Sequence, residues 1–275
     1  MPNYYAHLQF GALVLSQLPQ SLRARVERER EAYRIGQYGP DPLFFYHPLT
    51  RNFARMTGVN MHHEPLRAVA ERLRQAVREE KPFAVGYTAG FLCHFALDSV
   101  CHAYIAQATR NKSVTHAGIE SEFDRLLMER SGLDPSRDTP MPPLDMPANF
   151  YDTVCTYAYP GVTAGQFQAG FRLFRRVSRL YTRLVGHPAR HAVNWLADTV
   201  PGCSFFRHAI LTRKASPLYR ECSLKMLELF RQAAAPTAEQ LAAFFEGIPL
   251  GEWYDRDFCG GRRTPEGACV LGSAS

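Results

Sequence analysis

The stretch that decides the fold is Gly90-Phe-Leu-Cys-His-Phe-Ala-Leu-Asp-Ser-Val-Cys-His-Ala-Tyr104. Around its polar residues stand Phe91, Leu92, Phe95, Ala96, Leu97, Val100, Tyr104 and Ile105, and a helix this apolar is buried. Residues 83–106 are therefore read as a central helix. His94, Asp98 and His102 are set into it at i, i+4 and i+8, so all three project from one face. At about 1.5 Å per residue, His94 and His102 lie roughly 12 Å apart along the axis. That is too far for two ligands of one ion. It suits two metal sites with the Asp98 carboxylate between them, because its two oxygens can bridge two cations. An unpaired carboxylate in such surroundings is very costly. Singly, each of the three reads equally well as a hydrogen-bonded core residue; together they favour metal.

Helical periodicity extends outward from this element in both directions, and strand signals are nearly absent. Upstream, helices are expected at 4–17, 21–34 and 64–80, with an irregular Gly- and Pro-rich loop at 36–42. Downstream, they are expected at 116–131, 148–158, 164–185, 188–199, 205–212, 217–234 and 237–247. The proline-rich connector 134–147 is read as a loop within one bundle, since the first half alone would leave the central helix poorly covered. The expected organisation is a single all-α domain over 1–254 and a flexible C-terminal tail over 255–275.

Further candidates follow the same chemistry. His116 and Glu120, at i, i+4 on the next helix, share a face and can chelate one zinc. Asp124 continues that stripe, either as an acceptor that orients a ligand or, slightly favoured, as a solvated acid. Asp41 lies between Pro40 and Pro42, which fix the backbone around it. One of His62 and His63 is a candidate ligand and the other an outer partner; His47 is a further outer candidate. His7 on the first helix would ordinarily be a hydrogen-bonded core residue. Phe44, Phe45 and Tyr46 could line an apolar mouth for substrate, with ordinary core packing the rival reading.

The run Gly39-Pro-Asp-Pro-Leu-Phe-Phe-Tyr46, then Met61-His62, the central stretch 90–104, and His116-xxx-Glu120 resembles the bacterial zinc-dependent phospholipase C family, whose fold is shared with single-strand nucleases of the P1 type. The resemblance covers roughly residues 1–130 and implies an all-helical fold with three clustered zinc ions, and two or three are expected to be bound per chain. By that resemblance Asp41, His62, His94 and Asp98 surround the first ion, and His102, His116 and Glu120 hold the second. His7 and Asp98 hold the third, with the amine and carbonyl of Pro2 once Met1 is removed. The choice of His62 over His63 also rests on the family pattern. The implied activity is hydrolysis of a glycerophospholipid by attack of a metal-bound hydroxide, with Asp41 accepting a proton and Asp98 bridging.

Composition narrows the alternatives. A net charge of +6 favours anionic partners without choosing between phosphoesters, anionic membrane surfaces and nucleic acid, the last only as substrate. Arg172, Arg175, Arg176, Arg179 and Arg183 form a basic helix face, ordinarily solvated but able to attract anionic headgroups. The sequence has no phosphate-cradling glycine loop, no GxSxG and no zinc-finger spacing. No basic leader precedes residues 4–18, and no stretch reads as a transmembrane segment, so a cytoplasmic location is expected, with secretion left open. Seven scattered cysteines without a CxxC pair are expected to be free thiols. Two rival functions stand beside the phospholipase: a P1-type nuclease or other phosphodiesterase on the same metals, and a catalytically silent zinc-containing binding protein.

Overall fold

The computed structural model describes residues 4–111, 113–139, 141, 146–199, 208–263 and 269–270. The chain is all-α. In order, the helices are α1 (Tyr4–Gln17), α2 (Gln20–Arg28), α3 (Arg30–Gly36), α4 (Phe53–His63), α5 (Arg67–Arg78), α6 (Ala84–Ala108), α7 (His116–Arg130), α8 (Phe150–Ala158), α9 (Ala164–Leu184), α10 (Ala189–Thr199) and α11 (Arg220–Phe245). Among the described residues the strand pairing is one two-residue antiparallel ladder, Arg262–Arg263 with Cys269–Val270.

α6 is the hub. It packs against α1, α2, α3, α5, α7 and α11, and is buried nearly all round from Ala84 to Ser99. By length and apolar content alone it could cross a membrane, but 89% of its most apolar window lies inside the protein, so it is a core helix. Its crossing with α3 is unusually close. A Cβ added at Gly90 would stand 2.1 Å from the Tyr33 carbonyl oxygen, and one at Gly36 would stand 2.4 Å from that of Tyr87. Only glycine admits two backbones at that separation. α11, from the C-terminal half, lies over α1, α6 and α7.

Helix starts follow local chemistry. Asn52 caps α4 through the Arg55 amide, Thr115 caps α7 through Gly118, and Thr163 with Gln166 forms a capping box on α9. α1 is capped from a distance. The Tyr5 and Ala6 amides donate to the Asp124 carboxylate at 3.1 and 2.8 Å.

Several elements depart from the sequence-based expectation. The helix expected over 21–34 breaks at Glu29 (φ −113°, ψ 37°), whose carboxylate leaves the helix and accepts the Gly86 amide at 2.6 Å, capping α6. The loop after Gly36 tightens into a 3-10 turn over Asp41–Phe45, and α4 is an additional helix. The two helices expected over 217–247 are one, α11, preceded by a 3-10 turn over Pro217–Tyr219. Pro236 sits inside α11 on its exposed side, and Gln232, whose carbonyl it deprives of a helical donor, is exposed as well. Residues 208–212 are not helical, and 205–207 lie outside the described residues.

The boundary drawn at 255 falls too early, because residues 255–261 are packed rather than a free tail. Phe258 is fully buried against Phe91 and Phe95, Asp257 is 6% exposed, and Asp255 forms a bidentate ion pair with Arg67. Composition misled here: Gly260 and Gly261 make a turn held by Asp257 Oδ1, which accepts the Cys259 and Gly261 amides at 2.9 and 2.8 Å. Truncating Phe258 to alanine is expected to lower stability by about 3–5 kcal/mol, the range for a buried aromatic. Denaturant titration measures it, and a loss under about 1 kcal/mol would mean the segment is not part of the core.

Candidate metal centre

Eight side chains from five elements converge beside α6. α1 brings His7, the 3-10 turn Asp41, and the end of α4 His62. α6 brings His94, Asp98 and His102, and the start of α7 His116 and Glu120. Donor atoms fall into three groups, each within coordination reach of one ion: His7, Asp41 and His94; His62, His94 and Asp98; His102, His116 and Glu120. His94 and His102 do not share a group, as their spacing along α6 requires.

The Asp98 carboxylate faces both ways. Its Oδ2 stands 3.3 Å from His94 Nε2 and 3.9 Å from His62 Nε2, while Oδ1 stands 3.3 Å from His7 Nε2 and 3.8 Å from His102 Nε2. Asp41 Oδ1 lies 3.1 Å from His62 Nε2 and 3.7 Å from His94 Nε2. Glu120 Oε1 lies 3.1 Å from His116 Nε2 and 3.3 Å from His102 Nε2. Two ligands of a tetrahedral zinc at about 2.0–2.1 Å stand roughly 3.3–3.4 Å from each other. The observed separations bracket that edge length.

The outer nitrogens decide what lies between these atoms. Nδ1–H of His62 donates to the Gly58 carbonyl at 2.8 Å, that of His94 to Gln37 at 3.2 Å, and that of His102 to Phe258 at 3.1 Å. A neutral imidazole so anchored has a bare lone pair on Nε2. In all three, that lone pair points at carboxylate oxygen, acceptor against acceptor. The arrangement is favourable only with a proton or a cation between. For His94 burial disfavours the proton, pushing its pKa down to about 4. Accordingly His94 Nε2 and Asp41 Oδ1 are buried and receive no hydrogen bond from any described residue. A divalent cation fits that gap, and the nitrogen and oxygen donor set suits zinc. Burial alone would raise Asp98, but His102, His94 and His7 hold it well below the usual carboxylate range. Burial would likewise raise Glu120, which His116 and His102 hold well below its usual value.

Other candidates are placed differently. Asp124 is not solvated, and among the described residues its hydrogen bonds come from backbone amides rather than from a histidine ring: fully buried, it caps α1 and so seats His7, and burial pushes its pKa up to about 8. His63 is exposed at the edge of the cavity. His47 is exposed with a left-handed backbone (φ 44°), its ring against Tyr46 rather than at the metal groups. Of the proposed substrate contacts only Phe44 lines the cavity, its ring 4.8 Å from that of His62; Phe45 packs on Phe174, and Tyr46 on His47. Phe44 and Phe45 close the 3-10 turn over Asp41–Phe45, whose first two residues read from sequence as irregular loop. Pro2 lies outside the described residues.

The cavity encloses about 310 Å³, with the metal groups at its base and Tyr4, Tyr38, Phe44, Val59 and Phe174 on its wall. Two contributions had no legible signal. The C-terminal segment supplies the Phe258 carbonyl that orients His102, and lays the Phe258 ring 4.6 Å from His62 and 5.7 Å from His94. Tyr159 donates at 2.6 Å to the carbonyl of Gly39, which holds the Asp41 turn against His94. Gly39 has φ +49°, and a Cβ there would meet His94 Cδ2 at 2.2 Å. Gly39→Ala is therefore expected to displace the His94 ring and weaken metal binding at least tenfold, about 1.4 kcal/mol, as chelator competition would measure. Unchanged affinity would mean that His94 is not a ligand.

A family model described as zinc dependent phospholipase C matches residues 6–161. No curated protein and no solved structure matches the chain. The matched span includes every candidate ligand from His7 to Glu120 and stops before α9.

Proposed function

The chain belongs to the zinc-dependent phospholipase C family, and from that premise we propose that it hydrolyses a glycerophospholipid to diacylglycerol and a phosphorylated headgroup. The observation that carries this reading is the set of anchored histidines whose free nitrogens face buried carboxylates at the base of a partly apolar cavity. His7, Asp41, His62, His94, Asp98, His102, His116 and Glu120 are the ligands, with Asp98 shared. Zinc, when bound, supplies Lewis acidity toward the phosphoryl oxygens and brings the pKa of water toward about 7.

The chain's own groups do the rest. Asp41 lines the cavity with an oxygen that no described donor occupies, and accepts a proton from the attacking water. Phe44, Val59 and Phe174 take the apolar glycerol side of the substrate, and their packing limits water there. Histidines fixed through Nδ1 keep the ligand geometry from relaxing as charge builds on the phosphate.

The test is turnover of phosphatidylcholine, single-stranded DNA and a chromogenic phosphodiester by zinc-loaded protein, side by side. Phosphatidylcholine is expected to be cleaved with the highest kcat/KM. Faster cleavage of DNA would assign the cluster to a nuclease. No turnover on any substrate, with zinc bound, would leave a silent zinc protein.

A further inference from the structure

Residues 164–219 hold nine arginines and lysines against a single acid, Asp198, a local net of +8. The whole chain carries +6, so everything outside this segment sums to −2. The segment lies beyond the family match and consists of α9, α10 and the chain leading to α11.

α9 has two opposed faces. Phe167, Phe171, Phe174, Ser178 and Thr182 are buried, and Phe174 reaches the wall of the metal cavity. On the other side Arg172, Arg176, Arg179 and Arg183 recur at i, i+4, i+7 and i+11, all exposed, with Leu180 among them at 51% exposure. Among the described residues none of these four arginines is paired with a carboxylate. α10 follows after four residues and exposes Trp195 (65%) and Leu196 (49%). Within one stretch of some 25 residues, an exposed tryptophan, exposed leucines and arginines without a carboxylate partner among the described residues combine the two attractions of a lipid interface, headgroup charge and the acyl boundary. A nucleic acid would use the charge and a stacking ring, but would gain little from Leu180 and Leu196.

We propose that the outer face of α9 together with α10 docks on an anionic phospholipid surface, so that the helix forming one wall of the metal cavity is also the membrane anchor. The choice of lipid rests on the proposed phospholipase reading; the surface itself does not.

The experiment uses the full zinc-loaded chain and vesicles of phosphatidylcholine, plain or with about a third phosphatidylglycerol, at low and high salt. Binding to the anionic vesicles, weakening with salt, is expected, with a blue shift in tryptophan emission that Trp195→Phe abolishes; Trp253, packed on Phe95, remains as reference. Each basic residue near such a surface contributes about fivefold in partitioning, so Arg176→Glu, Arg179→Glu and Arg183→Glu combined should cost a hundredfold or more. Hydrolysis of a water-soluble chromogenic phosphodiester by that variant should be unchanged. Equal binding to both vesicle types, an unshifted Trp195, or wild-type binding by the triple variant would each overturn the proposal. So would preferential capture by a single-stranded oligonucleotide. Vesicle binding without phospholipid cleavage would remove the reaction and leave the docking face. Cleavage of a monomeric short-chain phospholipid without vesicle binding would do the reverse.

Discussion

Asp98→Ala is expected to remove more than one metal ion per chain and to lower phosphodiester hydrolysis by at least about a thousandfold, roughly 4 kcal/mol of transition-state stabilisation. The expectation follows from where the two oxygens point. Oδ2 belongs to the set with His62 and His94, and Oδ1 lies between His7 and His102. Removing the carboxylate takes a ligand from the group with His62 and His94 and, with Oδ1, the oxygen that faces His7 and His102 of the two neighbouring groups, and it also removes the negative charge that offsets two or three dications in one small volume. Glu120→Ala makes the contrast, because among the described residues Glu120 Oε1 stands beside His102 and His116 of a single donor group, and its loss should cost one ion. Asp98→Asn, which keeps the shape and one carbonyl oxygen, should fall between. Elemental analysis of the three variants against wild type decides the matter. Loss of a single ion in Asp98→Ala would end the bridging assignment, even if activity were abolished.

What was legible in the sequence tracks how local its signal is. His94, Asp98 and His102 could be read because helix geometry alone puts them on one face, and the apolar residues between them fix the burial. His116 and Glu120 were legible for the same reason. Asp124 was not. Its spacing continues the same stripe, but its partners are amides 118 and 119 residues away, a relation that no pattern in α7 contains. Likewise Glu29 sits mid-pattern in what reads as one amphipathic helix, and only the approach of α6 draws it out to cap Gly86. The Phe258 carbonyl was beyond reach altogether, since any residue type offers a carbonyl and only tertiary packing says which one meets His102. Glycine-rich composition then argued for mobility in a segment whose glycines serve a tight turn. The fold class was thus readable from periodicity, the candidate ligands of α6 and α7 from spacing, those at His7, Asp41 and His62 only through the family resemblance, and the groups that orient them only from the folded chain.

Stripping the metal is expected to lower the melting temperature by on the order of 15 °C or more, and by a margin that widens as pH rises from 6 to 8. A ligand at a thousand times its dissociation constant contributes about 4 kcal/mol. Two such sites give about 8 kcal/mol, at some 2 °C or more per kcal/mol in a chain of this size. The pH dependence comes from two opposing linkages. In the metal-free protein, burial disfavours the His7 imidazolium but Asp98 and Asp41 outweigh it, and burial of His102 is outweighed by Asp98 and Glu120; both pKa values are raised. A raised histidine contributes stability that is full below its unfolded value of about 6.5 and is lost as pH climbs through the folded one. His94, pushed down to about 4 by burial, acts in the opposite sense, but only between that value and about 6.5, and is silent above it. The metal-free protein should therefore lose stability above about pH 6.5. The loaded protein gains over the same interval, because metal competes with protons for the same Nε2 atoms and binds more tightly as they leave. Paired thermal melts with chelator and with added zinc, at pH 6, 7 and 8, measure the gap. A gap that stays constant or narrows would mean that the histidines facing Asp98 do not hold the ion, and that whatever metal binds does so elsewhere on the chain.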